Sequence, residues 1–568
     1  MSKILYICYR NKTIDKSTIK KVKKISDSIV PNDIEVKPIK IFAEENIIYS
    51  IVNPHPDIIS KGSSIVLGNF FENIPDWEKT TSHQPDGNYV MFRANSMKLE
   101  VLTDFLGSRN VWYYFDDHMI VLSSSQKAIV SFLGDFHFDP RVIPWMISTG
   151  TLGRYGWDQR IKKISPNGKV IIDRKRWQLQ ELAESIQFHP SPLPKKNYKN
   201  LLETALLDTF KNLNAITSLK NWAVTLSGGH DSRGILLLLS NTTKNKSIRT
   251  ITWGTKNSLL DPSSDSAISK KLSNIMGTKH TFYDTQKTKE SMEMIIERFL
   301  INGEGEIDHL AGYLDGFLLW KNMWENGITG IIRGDEVFGY SKVNSPLMVK
   351  KVVGLTLCQD YKNLKKYPYI QALEQKIPDD LVRRDKESLS LWRDRIYQGY
   401  RIPTTISALA DLKYSYVEQI NPFLSKKIVK IVRQIPDNLR TNKKLFRAIM
   451  KKYDIKVPYA SKSSNASLLH LLRDERIVAI LRLELESEYA TKIFPSSFLS
   501  EINSNLNTEN DSNQNISKSN KISRLKAILP IGLKRALTHN KYLSLDNNHL
   551  AFRIFIICRI HRYMQEKN

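Results

Sequence analysis

The segment Ser227-Gly228-Gly229-His230-Asp231-Ser232 directly follows the short apolar run Trp222–Leu226. A second apolar run, Ile235–Leu239, comes next, so the pattern predicts a glycine-rich turn between a buried strand and a helix. Two glycines let backbone N–H groups approach an anion, serine hydroxyls add donors, and the helix N-terminus attracts negative charge. We predict that nucleotide phosphates bind here, with Asp231 as a Mg²⁺ ligand and contacts from Ser227, Gly228, Gly229, Asp231 and Ser232.

An ordinary strand-turn-helix corner is the alternative explanation for a lone pair of glycines. The segment has neither the Gly-Lys-Ser/Thr of the Walker loop nor the three-glycine dinucleotide fingerprint. It resembles the PP-loop of ATP pyrophosphatases. That resemblance implies that ATP is cleaved between its α- and β-phosphates, so that the nucleotide product is AMP.

The composition is that of a globular protein with more than one domain. Its 568 residues exceed one ordinary core, and 41% of them are hydrophobic. The three cysteines have no paired spacing, and no apolar run is long enough to cross a bilayer, so we expect a cytoplasmic protein without membrane insertion. The formal charge of +26 could attract a polyanion or an acidic peptide, but the lysines are scattered and do not favour nucleic acid.

Hydrophobic periodicity divides the chain into regions. Short alternating segments such as Lys3–Tyr9, Leu99–Thr103 and Met119–Ser123 predict a β-rich first domain. Further on, strands and helices alternate, as at Ile248–Trp253 and Ser264–Met276, and predict a parallel sheet. We expect a first domain at residues 1–188 and a second at 195–490. A disordered Asn- and Ser-rich insertion is predicted at 500–522. A helical closing segment is predicted at 523–568, with an amphipathic helix over Leu550–Met564.

A second acidic turn follows the apolar strand Gly330–Ile332. It reads Arg333-Gly334-Asp335-Glu336, at a strand end where ligand groups of open α/β sheets gather. If Asp335 faces Asp231 across the crevice, the two carboxylates could hold Mg²⁺ on the leaving pyrophosphate. Taken alone, Asp335 would be interpreted as a helix N-cap. Gly334 is assigned to the nucleotide site with the first turn.

Several stretches together resemble the asparagine synthetase family. They are the two turns, Glu418-Gln419-Ile420-Asn421-Pro422-Phe423-Leu424, Lys443–Arg447, Pro458–Lys462, and upstream Asp86-Gly87, Asp104–Arg109, Tyr113-Tyr114 and Pro166-Asn167-Gly168. The resemblance implies an α/β protein. An N-terminal nucleophile-type α+β glutaminase-like domain would precede a PP-loop α/β synthetase domain with a parallel sheet and a helical C-terminal part.

The glutaminase half departs from the family pattern. The nucleophile of that family is a cysteine at position 2, where this chain has Ser2. Cys8 lies within an apolar alternation that favours core packing. The Arg-Gly-Pro-Asp and Asn-Gly-Glu segments of the glutamine pocket are missing from the sequence. We therefore expect no glutamine hydrolysis, with Ser2 as an unusual nucleophile left as the open alternative.

Family members without glutaminase activity use an amine already present in their substrate, as β-lactam synthetases and lasso-peptide cyclases do. Arg233 after Ser232, together with the shortened Gly334-Asp335-Glu336 turn, looks most like the lasso-cyclase branch. The resemblance implies ATP and Mg²⁺ as cofactors and a macrolactam formed on a precursor peptide. A small carboxylate is the other substrate class, and a peptidase or leader-binding protein is a candidate partner. By resemblance Lys462 is the first candidate for the catalytic lysine and Lys443 the second.

Three other functions remain open. The first is asparagine synthesis from glutamine or free ammonia, which uses the same adenylation chemistry. The second is an RNA-modifying PP-loop enzyme, which the basic charge would suit but the long segment before the turn does not. The third is a non-catalytic scaffold that binds a peptide, although such a protein has no need for both acids. Asp265, in the helix after strand Ile248–Trp253, is either a nucleotide-orienting residue or a surface acid.

Overall fold

The N-terminal part of the chain is built from two antiparallel sheets. A computed structural model describes residues 2–216, 219–243, 248–285, 290–312, 316–453, 455–465, 468–508 and 542–566. In chain order the first elements are β1 (Lys3–Tyr9), α1 (Lys16–Ser28), β2 (Lys40–Glu44), β3 (Ile47–Val52), β4 (Ile59–Lys61), β5 (Ser64–Phe70), β6 (Gly87–Ala94), β7 (Lys98–Thr103), β8 (Trp112–Phe115), β9 (Met119–Ser123), α2 (Gln126–Leu133), α3 (Val142–Thr149), β10 (Lys162–Lys163), β11 (Lys169–Asp173) and β12 (Gln178–Leu182).

The two sheets pack face to face. Their strand orders are β10-β8-β9-β1-β3-β2 and β12-β11-β7-β6-β5-β4. Alternate residues of both sheets, including Tyr6, Phe92 and Val101, share one buried cluster, whereas Leu5 and Ile7 face the other way and pack with helices α1 and α2. The alternation along β1 therefore places every second side chain in a different core. This α+β arrangement agrees with the fold expected for residues 1–188.

The remaining elements form a parallel sheet and many helices. They are α4 (Lys195–Ile216), β13 (Trp222–Thr225), α5 (His230–Thr242), β14 (Arg249–Gly254), α6 (Asp265–Met276), β15 (Lys279–Asp284), α7 (Met292–Gly303), α8 (Gly316–Glu325), β16 (Gly330–Ile332), α9 (Pro346–Val353), α10 (Pro368–Gln371), α11 (Leu389–Ile396), α12 (Ser407–Tyr414), β17 (Glu418–Ile420), α13 (Lys426–Val432), α14 (Asp437–Arg440), α15 (Lys444–Met450), α16 (Leu468–Leu471), α17 (Glu475–Leu485), α18 (Glu488–Thr491), α19 (Ser496–Ser504) and α20 (Asn547–Gln565). A π-helical segment, Tyr397–Ile406, joins α11 to α12.

The parallel sheet has the order β15-β14-β13-β16-β17. All four strand pairs run parallel, which confirms the prediction made from the alternation of strands and helices. The chain moves outward from β13 to one edge and then returns to the other side of β13 with β16. The strand order therefore reverses between β13 and β16, and a crevice opens at the carboxyl ends of these strands.

The C-terminal helix α20 includes the closing helix predicted over Leu550–Met564, but it is more buried than an amphipathic surface helix. Twelve of its nineteen residues are buried, among them Arg553. It packs against α3 of the N-terminal part and against α17. Asp308 forms ion pairs with both His549 and Arg553, each with an N–O distance of 2.7 Å. The prediction placed the arginines on an exposed face. Arg553 is buried instead, because the carboxylate of Asp308 compensates its charge.

Helix α19 overlaps the start of the insertion predicted at residues 500–522. It continues to Ser504, so the first residues of that segment are helical and not part of a loop. Residues 509–541, which hold the rest of the insertion and the start of the closing segment at 523–568, lie outside the described residues. In the part of the chain that is described, no helix has both the length and the apolar character needed to cross a membrane.

Motifs from the two parts of the chain meet at a buried interface. Arg109 donates from Nη1 to Oε1 of Glu418 at 2.6 Å, and both side chains are at most 3% exposed. Asp86 accepts hydrogen bonds from the Ser425 hydroxyl at 2.6 Å and from the Lys426 N–H at 2.7 Å. Ser425 thus acts as a donor to the carboxylate of Asp86.

Replacing Glu418 with glutamine is expected to lower the free energy of unfolding by about 3 kcal/mol at pH 7, because Arg109 is left buried without a counter-charge. Burial opposes ionisation of Glu418, but Arg109 lowers its pKa to about 2. The stabilisation is therefore complete above the unfolded pKa of about 4.3 and disappears as the pH falls towards 2. Thermal unfolding of both proteins between pH 3 and pH 7 measures this.

A matched control is Glu501→Gln, which removes an exposed pair with Lys366. Exposed pairs contribute about 0.2–1 kcal/mol, so this variant should unfold close to the wild-type temperature. A gap between wild type and Glu418→Gln that stays constant from pH 7 to pH 3 would contradict the assigned ion pair.

Candidate active site

A cavity of about 260 Å³ lies at the carboxyl ends of β13, β14 and β16, where the strand order reverses. It is lined by Thr225, Leu226, Ser227, Asp231, Ser232, Thr252, Trp253, Asp265, Arg333, Gly334, Asp335, Ser464 and Asn465. The two turns singled out in the sequence therefore contribute to one cavity. Asp231 and Asp335, predicted as a metal pair, line it together.

Two serine side chains link the start and the end of the first turn. The Ser232 hydroxyl lies 2.9 Å from the Ser227 hydroxyl and accepts a hydrogen bond from the Ser227 N–H at 2.9 Å. Helix α5 begins at His230 without a side-chain cap at Gly229. A helix start without a side-chain cap is compatible with the phosphate site predicted for this turn.

Gly228 lies beneath the segment 457–465. Its carbonyl accepts from the Ala460 N–H at 3.0 Å, and its N–H donates to Oδ1 of Asp265 at 2.9 Å. A Cβ atom on Gly228 would lie 2.3 Å from the Cβ of Ala460. Position 228 therefore requires glycine, because Ala460 leaves no room for a Cβ atom. Asp265 both lines the cavity and holds the turn, which favours its nucleotide-side role over that of a surface acid.

The substitution Gly228→Ala is expected to lower stability by about 1–3 kcal/mol through overpacking and to weaken nucleotide binding, since segment 457–465 must move. The double variant Gly228→Ala/Ala460→Gly relieves the closest contact and should recover part of both losses. Thermal unfolding and ATP titration of the three proteins measure the effect. Unchanged stability and affinity in the single variant would show that the segment moves without cost.

Lys443 lies between two carboxylates, one of which, Asp231, lines the cavity. Its Nζ is 2.5 Å from Oδ2 of Asp231 and 3.1 Å from Oε1 of Glu336. Glu336 is 4% exposed and also accepts a hydrogen bond from the Phe338 N–H. The sequence assigned no role to Glu336. Its position next to Asp335, after a strand that ends at the cavity, is the signal that could have identified it.

The backbone around Lys443 is strained. Asn442 and Lys443 have φ values of 59° and 55°, in the left-handed region that residues with a Cβ seldom adopt. Arg440 anchors the preceding turn through Nε, 2.8 Å from Oδ2 of the buried Asp394. The Asn442 N–H donates to the Tyr340 carbonyl at 2.8 Å. Surrounding contacts thus impose a costly conformation that directs the amine of Lys443 towards Asp231.

The three charges of this cluster influence one another. Burial raises the pKa of Glu336 to about 7, although Lys443 lowers it. Burial also raises the pKa of Asp231, and the nearby charge of Asp335 adds to that effect. Burial alone would lower the pKa of Lys443, but the two carboxylates outweigh it and raise that pKa. Lys443 therefore carries its positive charge at neutral pH.

The carboxylates of the cavity fit a divalent cation that is shared with a ligand. Oδ1 of Asp231 is buried and has no hydrogen-bond partner among the residues that the structure describes. Asp335 is paired with Arg333, with its Oδ2 3.1 Å from Nε. Within the described ranges no cluster of three or more His, Cys, Asp or Glu side chains could hold a metal alone. Mg²⁺ commonly uses one or two carboxylates together with phosphate oxygens, and Asp231 and Asp335 suit that arrangement.

The side chain of Lys462, the first candidate for the catalytic lysine, is not among those that line the cavity. Its Nζ lies 2.7 Å from Oδ2 of Asp261, and its side chain is 66% exposed. Only its backbone supports the site, because its carbonyl accepts from the Asp265 N–H at 3.0 Å. Lys443, the second candidate, contacts Asp231 directly. The structure therefore places Lys443, and not Lys462, with the acids of the cavity.

Ser2 is enclosed at the interface of the two parts of the chain. It is 2% exposed, and its hydroxyl accepts from the His55 N–H at 2.9 Å. Its carbonyl accepts from Nη2 of Arg109 at 3.1 Å. The Ser2 side chain is therefore buried among described residues of both parts of the chain. The absence of glutamine hydrolysis stays a prediction from the sequence.

Comparison with known proteins gives little information about function. No family model and no curated protein matches the chain. Among solved structures, it is similar to a glutamine phosphoribosylpyrophosphate amidotransferase from B. subtilis complexed with ADP and GMP, with 9% identity, coverage of 51% of this chain and 94% of that chain, and a TM-score of 0.22. The allosteric regulatory enzyme of purine biosynthesis gives 9% identity, 51% and 93% coverage, and a TM-score of 0.21. Similarity this low establishes neither a shared fold nor a shared activity.

Proposed function

We propose that this protein is an ATP-dependent, AMP-forming amide-bond ligase of the asparagine synthetase type. The observation that carries the proposal is the meeting of the Ser-Gly-Gly turn, the acids Asp231 and Asp335, and Lys443 at the crevice of the parallel sheet. The turn and the uncapped helix suit phosphates. The acids suit a divalent cation among those phosphates, and the lysine supplies a fixed positive charge.

The reaction has two steps. A substrate carboxylate oxygen attacks the α-phosphorus of ATP, and the bond to the bridging oxygen breaks, which releases pyrophosphate and leaves an acyl adenylate. An amine then attacks the acyl carbon, AMP leaves, and the nitrogen loses a proton as the amide forms. Mg²⁺, held by Asp231 and Asp335, would neutralise the charge that develops on pyrophosphate. Lys443 holds positive charge beside the same phosphates, where it stabilises the transition state.

The favoured substrate is a precursor peptide that carries both the carboxylate and the amine. The enclosed Ser2 supports an amine source other than glutamine. The formal charge of +26 suits a peptide with several carboxylates. Macrolactam formation within one peptide replaces a collision between two molecules, so positioning both ends provides much of the acceleration.

Parallel assays of AMP and pyrophosphate test the proposal. The purified protein is mixed with ATP and Mg²⁺ and with either aspartate plus glutamine, aspartate plus ammonia, or a candidate precursor peptide. AMP with the peptide alone, together with a product lighter by one water, supports a cyclase of the lasso type. AMP with aspartate and a nitrogen source indicates asparagine synthesis instead. ATP that stays intact with every substrate contradicts the ligase assignment.

A further inference from the structure

Arg333 occupies a distinctive position in the cavity. It follows β16 directly, and its N–H donates to the Ile420 carbonyl at 2.9 Å. The next residue, Gly334, lies against the first turn so closely that a Cβ atom there would be 3.0 Å from the Ser232 nitrogen. Arg333 and Asp335 therefore flank the point at which β16 meets the start of helix α5.

The charges that line the cavity are unbalanced. Among the lining residues in the described part of the chain, three are carboxylates and Arg333 is the one cation. Arg333 contacts Asp335 at both carboxylate oxygens, with N–O distances of 3.1 Å and 3.3 Å. Its side chain is 24% exposed and that of Asp335 16%. The pair is thus accessible, and its distances are longer than those of a tight charge-assisted bond.

The ion pair occupies groups that the proposed reaction requires. While Arg333 contacts both oxygens of Asp335, its positive charge opposes a divalent cation on the same carboxylate. A triphosphate entering a cavity with three carboxylates needs positive charge, and a guanidinium fork matches phosphate oxygens well.

We propose that Arg333 is a phosphate-binding residue that exchanges partners: it holds Asp335 in the ligand-free protein and moves to the polyphosphate when a divalent cation binds Asp335. This inference rests on the proposed function, since it takes the ligand to be a nucleoside triphosphate. Arg333 thereby prevents the cation from binding tightly before the nucleotide. Because of this exchange, the metal ion and the nucleotide each increase the affinity of the protein for the other.

Manganese titration without nucleotide tests the first half of the proposal. Free Mn²⁺ is followed by electron paramagnetic resonance in the wild type, Arg333→Met and Arg333→Met/Asp335→Asn. Arg333→Met is expected to bind Mn²⁺ about 5- to 10-fold more tightly than the wild type, because Asp335 is released from its ion pair. The double variant should lose that gain. Equal affinity in wild type and Arg333→Met overturns the inference.

Binding of an ATP analogue with a methylene bridge between the α- and β-phosphates tests the second half. In the presence of Mn²⁺, Arg333→Met should bind it about 10-fold more weakly than the wild type, and Arg333→Lys should recover only part of the loss. Arg154→Met is the matched control, because Arg154 forms a similar two-contact pair with Asp380 outside this cavity. Unchanged analogue affinity in both Arg333 variants overturns the exchange.

The two titrations separate this inference from the proposed reaction. Neither requires turnover, so a protein that binds Mn²⁺ and the analogue as expected but never forms AMP would refute the ligase and retain the role of Arg333. A protein that forms AMP, but whose Mn²⁺ and analogue affinities do not change on substitution of Arg333, would retain the ligase and refute the role of Arg333. Thermal unfolding of each variant confirms that the fold is intact.

Discussion

Replacement of Lys443 by methionine is expected to slow pyrophosphate formation by about 10³-fold, because the variant loses the fixed positive charge beside the phosphates. Methionine keeps much of the length of the side chain but leaves Asp231 and Glu336 without their shared cation. Lys443 lowers the pKa of Glu336, which burial raises to about 7, so loss of Lys443 should raise that pKa further and favour the protonated form at neutral pH. Single-turnover measurement of AMP under saturating ATP isolates the chemical step from binding.

The neighbouring residue Lys444 provides the control. It is exposed and follows Lys443 directly, so Lys444→Met removes one positive charge without touching the cluster. Its turnover should match the wild type. The variant Lys462→Met decides between the two candidate lysines of the sequence. A loss of turnover confined to Lys462→Met, with Lys443→Met active, would reject the role assigned to Lys443.

The substitution Asp231→Asn is expected to abolish pyrophosphate release, with a loss of about 10³-fold or more, while the protein still folds. Asparagine has nearly the same size but removes a negatively charged ligand of the divalent cation. Among the described residues, Oδ1 of Asp231 has no hydrogen-bond partner, so the native contact that the substitution weakens is the ion pair of Oδ2 with Lys443. Pyrophosphate release and thermal unfolding are measured on the same preparation.

Asp208→Asn is a suitable comparison, because Asp208 is an exposed aspartate on helix α4. It should release pyrophosphate at the wild-type rate. Raising the Mg²⁺ concentration should restore part of the activity of Asp231→Asn if Asp335 still holds the cation weakly. Undiminished turnover in Asp231→Asn would remove the metal role from this residue.

Much of the site could be predicted from local sequence. The apolar run, the glycines and the following helix determine a strand-turn-helix unit through backbone preferences alone. The bounds predicted for Lys3–Tyr9, Met119–Ser123 and Gly330–Ile332 agree with strands β1, β9 and β16. Because parallel strands end at one edge of a sheet, the meeting of the two acidic turns also followed from the pattern.

The partners of the lysines could not be predicted in this way. Lys443 reaches Asp231 across 212 residues of sequence, and two left-handed residues held by the Arg440 network direct it there. Lys462 lies in a stretch that resembles the family pattern, yet its amine is bound to Asp261. Motif resemblance indicates where a residue stands along the chain but not where its side chain points.

The sequence by itself determined the alternation of strands and helices, the position of the Ser-Gly-Gly turn and the acids at the strand ends, since periodicity and glycine act over a few residues. Only the tertiary structure decided which charges pair. Arg109 and Glu418, 309 residues apart, become a buried ion pair, and Arg553 enters the core with Asp308. The free-energy cost of burying a charge depends on whether an opposite charge or a hydrogen-bond partner lies beside it. For these residues that partner comes from a distant segment, so it is in place only after the chain has folded.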